Sequence, residues 1–118
     1  MTIASRFPIR NLQIEVLEGV VIKEVNWPMI MVVEAMFLVC WKRGVIPKMT
    51  GAAQNEASPV GGIHDQGLAW DFRSSAFSDP KSVLHELTAI LRGIDKGFHV
   101  AHHDVGFGFH FHIEYRGG

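Results

Sequence analysis

The chain has a single cysteine, Cys40, so an internal disulfide is excluded and so is a zinc site built from several cysteines. No basic run or basic–aromatic stripe is present and the formal net charge is −1, so nucleic acid is not expected as a partner. Long apolar runs are also missing. The longest, Pro28 to Trp41, falls short of the about 20 residues a bilayer requires and carries Glu34, so no membrane span is expected. The opening MTIASRFPIR has no extended apolar stretch before a small-residue cleavage site, and no signal peptide is expected. Internal repeats and low-complexity segments are absent. The sequence assigns neither a compartment nor an oligomeric state.

What is present describes one globular domain over residues 1–118, with 47% hydrophobic and 19% charged residues. Histidine is the outlier. There are seven, and five lie between His99 and His112. An imidazole binds metals and moves protons near neutral pH, so this skew directs attention to the C-terminal third.

Hydrophobic periodicity gives the elements. Leu12, Ile14 and Val16 alternate with polar residues as a half-buried strand does. Glu18-Gly19 offers a turn into a second strand over Val20 to Val25, and so a hairpin. A helix follows, with Asn26 as its cap, Pro28 in its first turn and Gly44 after its end. It is apolar nearly all round, which predicts a place at the centre of the core or against a partner chain. Ile46 to Gly62 reads as a long loop. GLAWDF then reads as a strand. Ser78 or Asp79 caps a second helix, in which Val83, Leu84, Leu87, Ile90, Leu91 and Ile94 share one face. FHVAHHDV and FHFHIEY form two last strands around Gly106 and Gly108. The expected class is α+β: a small, mainly antiparallel sheet with helices on one face.

Alternation also sorts the chemistry. Trp70 and Phe72 point to one face of their strand and Asp71 to the other. In the final strand Phe109, Phe111, Ile113 and Tyr115 share a face, and His110, His112 and Glu114 share the opposite one. If the two strands are neighbours, Asp71 and His112 approach each other across the sheet. His64 can fold back over the same face through Gly67. Two histidines, one carboxylate and one position left to water make a catalytic zinc arrangement, which activates water where no Ser or Cys nucleophile is placed. The plainer alternative is that a His-x-His on a strand is only a solvated face and that Asp71 pairs with Arg73. His99 and His103 share a strand face and could line the cleft, but the favoured expectation is that they and His102 are surface or partly buried histidines without a role; Trp70 is expected as core.

HDQGLAWDF resembles the His-x-x-Gly-x-Ala-x-Asp signature of the zinc D-alanyl-D-alanine carboxypeptidases and their relatives, which include D,D-dipeptidases, L-alanyl-D-glutamate endopeptidases, murein endopeptidases and the hedgehog signalling domain. HFH resembles the His-x-His of one branch of that family, and the matching motifs run from Gly61 to His112. The resemblance implies zinc held by His64, Asp71 and His112, with His110 as the catalytic histidine beside the metal. It implies the small α+β domain of that family and cleavage of peptide bonds in peptidoglycan stem peptides or related D-amino-acid peptides. Many members carry an acid three residues before the last ligand, where this chain has Phe109, and an upstream Arg in the region occupied here by MTGAAQN. Those departures give the alternative: a non-catalytic metal-binding module of the same fold that binds peptide or cell wall.

Overall fold

The computed structural model describes residues 2–4, 13–20, 22, 25–51, 68–104 and 109–116. In chain order the elements are β1 (Thr2–Ala4), β2 (Gln13–Val16), α1 (Trp27–Trp41), β3 (Lys48–Gly51), β4 (Ala69–Arg73), α2 (Pro80–Ile94), β5 (Phe98–Asp104) and β6 (Phe109–Tyr115). They form one six-stranded mixed sheet in the order β1-β2-β3-β4-β6-β5, so the fold is α+β as expected. Four of the pairings are antiparallel. β2 and β3 run parallel, with α1 lying between them in the chain.

α1 begins where the sequence places it. The Asn26 carboxamide oxygen accepts from the Met29 N–H at 3.0 Å, and Pro28 sits in the first turn, where its missing N–H costs nothing. The chain leaves the helix through Gly44 at φ +66°, a left-handed conformation that suits a residue without Cβ. Val32, Ala35, Met36, Val39 and Cys40 are buried. Ile30, Leu38 and Trp41 remain exposed, so α1 lies along the side of the core and not at its centre.

α2 is amphipathic. Val83, Leu87 and Leu91 are fully buried, while Ile94, expected on the same face, is exposed at the helix end. Asp79 holds the N-cap position, but its carboxylate makes no cap and turns instead to Arg43, 3.1 Å from Nε. Arg43 also reaches Glu86 at 2.6 Å, and Lys42 meets Glu86 at 2.7 Å. Charged groups thereby tie the end of α1 to the first half of α2.

Both helices cover one face of the sheet. Ile14 and Val16 of β2, Met49 of β3, Trp70 and Phe72 of β4, Phe98 of β5, and Phe111 and Ile113 of β6 join the helix residues in one buried cluster. Complete burial of such a side chain stabilises the fold by about 1.5–3 kcal/mol.

Two expectations about the N-terminal half do not hold. Val20, Ile22 and Val25, the described residues of the segment expected as a strand, lie outside any strand. Val20 and Ile22 are apolar because they pack against the core. The antiparallel partner of β2 is β1. The stretch expected as a loop from Ile46 contains β3, which fills the place between β2 and β4.

Candidate functional site

The face of the sheet away from the helices carries the polar chemistry, and strand register sets its layout. Between β4 and β6, Asp71 lies opposite His112, Arg73 opposite His110 and Ala69 opposite Glu114. Between β5 and β6, His103 lies opposite His110, Ala101 opposite His112 and His99 opposite Glu114. Residues directly opposite in an antiparallel pair project to the same side. The two ladders that flank β6 therefore bring Asp71, His103, His110 and His112 together.

The contacts are close. His112 Nδ1 is 2.8 Å from Asp71 Oδ1, and the two side chains are about one-fifth exposed, at 21% and 22%. His110 Nε2 is 3.7 Å from the same oxygen. His103 Nε2 is 3.1 Å from His110 Nε2, and the His103 ring stacks on His112 with centroids 5.5 Å apart and planes at 29°. The hydrogen bond that His112 Nδ1–H donates to the Asp71 carboxylate holds the imidazole above its usual pKa, against the opposing effect of burial. Burial, reinforced by the neighbouring His110 and His112, holds His103 below its usual pKa.

A break in register makes room for the carboxylate. Met49 of β3 pairs with Phe72 on the helix side, and Gly51, two residues on, pairs with Asp71 on the open side. The bulge between them turns β3 from one face to the other. A Cβ on Gly51 would sit 2.7 Å from Asp71 Oδ2, so only glycine lets the carboxylate lie over β3.

The sequence placed Asp71, His110 and His112 on the open face, and the register brings them together there. His64, the third ligand implied by the resemblance, lies outside the described residues, as do Asp65, Gly67 and the side chain of Asp104. Among the described residues no three His, Cys, Asp or Glu side chains form a metal-holding group. Asp71 and His112 do supply one oxygen and one imidazole nitrogen that face each other, a donor pair suited to zinc.

Gly51 was not expected at this site, and for His103 the less favoured of two expectations, a place lining the cleft, is the one the structure bears out. The register that pairs Asp104 with Phe109 also sets His103 against His110. His102 belongs elsewhere. Its Nε2 is 2.9 Å from Ser74 Oγ, which in turn donates to the Phe109 carbonyl at 2.9 Å, and its ring packs on Phe111. Glu114 is buried. Its burial opposes ionisation, but the hydrogen bond and charge of Arg116, with His112 and His99 nearby, carry its carboxyl below the usual range. Cys40 is no rival nucleophile, since burial pushes its thiol up to about 12 despite Arg43.

No protein-family description, curated protein or solved structure matches this chain. No helix among the described residues is long and apolar enough to cross a membrane.

Proposed function

We propose that the chain is a zinc-dependent peptidase of the hedgehog/D,D-peptidase type that cleaves peptidoglycan stem peptides or related D-amino-acid peptides. The observation that carries this reading is the 2.8 Å approach of Asp71 Oδ1 and His112 Nδ1 across adjacent strands, with His110 beside them. Asp71 and His112 would hold zinc together with His64. When bound, zinc lowers the pKa of a water toward about 7 and polarises the scissile carbonyl.

The chain's own residues do the rest. Asp71 offers Oδ1 to the donor pair while Gly51 leaves space for its other oxygen. His112 must be neutral to offer the Nδ1 lone pair, so the proton that Asp71 stabilises there has to leave. His110, with its side chain 13% exposed, is placed to hold a proton or to stabilise charge developing on the carbonyl oxygen.

A second reading has its own support. Phe109 stands where the family often has an acid and is exposed, which suits a metal-holding module that binds peptide without cutting it.

Zinc content and peptide turnover, measured on the same proteins, test both readings. Zinc-reconstituted protein should hold about one ion per chain and release new amino termini from muropeptides, and a chelator should stop the release. His112→Ala and Asp71→Ala should lose most zinc affinity. His110→Ala should keep zinc and lose turnover by roughly 10²–10⁴. Protein that never retains zinc rejects both readings, and zinc with intact muropeptides leaves the binding module.

A further inference from the structure

We infer that His103 is the positioning residue for His110, fixing its ring orientation and its tautomer through the contact between their two Nε2 atoms; the catalytic consequence rests on the peptidase reading above. Three observations carry it. His103 and His110 are directly opposite on β5 and β6, so the backbone ladder sets their separation. Their Nε2 atoms are 3.1 Å apart and their rings meet edge to face, with centroids 4.6 Å apart and planes at 76°. The same His103 ring stacks on His112, so one side chain limits the motion of both imidazoles of the final strand.

The contact also selects a tautomer. A hydrogen bond between two ring nitrogens needs one N–H and one lone pair. Asp71 Oδ1 lies 3.7 Å from His110 Nε2. A lone pair on that nitrogen would face the carboxylate charge, so the hydrogen belongs on His110 Nε2. His103 Nε2 then accepts, and the proton of neutral His103 sits on Nδ1. His110 thereby keeps an N–H at the nitrogen nearest Asp71. The role falls to His103 because it is the residue opposite His110 on β5, and Ala101, opposite His112, is too small to compete for the space.

The test compares wild type, His103→Ala and His103→Gln. Glutamine keeps a carbonyl acceptor at the end of a chain of similar reach. Histidine side-chain ¹⁵N spectra of the metal-free proteins should show His110 as a fixed Nε2–H tautomer in wild type. His103→Ala should show averaged tautomers, and His103→Gln should restore the fixed form. Backbone amide spectra confirm that all three are folded. With zinc, His103→Ala should keep the ion and lose roughly 10- to 100-fold in kcat at unchanged KM, the scale of removing a residue that orients a reacting group, with recovery in His103→Gln. An His110 ring with the same tautomer in wild type and His103→Ala overturns the inference, as does zinc loss in His103→Ala equal to that of His112→Ala. Absence of turnover in wild type rejects the peptidase reading, and the spectra of the metal-free proteins still decide the role of His103.

Discussion

Asp71 and Phe72 are neighbours on β4 and face opposite sides of the sheet. Phe72 is fully buried among the helices, whereas Asp71 stands half-buried on the open face beside three imidazoles. On the covered face each residue is explained by the volume it fills. On the open face volume explains little: an acid beside histidines adds no core, and a glycine is held small so that the acid fits. The difference separates what folds the chain from what the folded chain can do.

Replacing the residues of the two faces should show that difference directly. Phe72→Ala removes a fully buried ring and should cost about 3–5 kcal/mol in denaturant unfolding. His112→Ala removes one partner of the Asp71 hydrogen bond and should cost the metal-free protein less, roughly 1.5–3 kcal/mol. Equal losses in the two variants would mean that the open face is as structural as the core. Gly51→Ala puts a Cβ 2.7 Å from Asp71 Oδ2 and should cost roughly 1 kcal/mol, the low end for overpacking. It should also shift the His112 ring signals as the carboxylate moves, and unchanged signals would show that Gly51 does not set the position of Asp71.

The smallest effect belongs to charge on the helix side. The hydrogen bond from Lys42, then that from Arg43, holds the Glu86 carboxyl below its usual 4.5. Its folded pKa is depressed, so its contribution is present above the unfolded value and is lost as pH falls through the folded one. Glu86→Gln should therefore lower stability slightly at neutral pH, flatten the acid limb below about pH 4.5 and converge with wild type at low pH. An acid limb identical to wild type would place its origin elsewhere.

Periodicity reads well where side chains alternate strongly or keep helical spacing. β4, β5, β6 and α2 are of that kind, and the pairing of Asp71 with His112 follows from the faces of two strands. β1, Thr2–Ala4, is too short to display a period. β3 hides its pattern for a physical reason: its bulge puts Met49 and Gly51 on different faces, and Gly51 is buried by a carboxylate and carries no apolar side chain to signal it. Val20 and Ile22 misled in the other direction, because apolar residues packed against a core need not belong to a strand. Alternation along β5 sends His102 and His103 to opposite faces and so allows His103 a place at the cleft, but only the register between β5 and β6 shows that it meets His110.

The burial of the lone thiol has a practical consequence. Cys40 is protonated at neutral pH and sealed between α1 and the sheet, so the folded chain is silent toward alkylating reagents. Its reaction becomes a clock for opening of the helix-covered face, running only when that face parts. A cysteine introduced in place of exposed Phe109 would react at once and mark the rim of the histidine face. One chain can then report separately on the opening of its core and on events at its open face, with no other sulfhydryl to confuse the two.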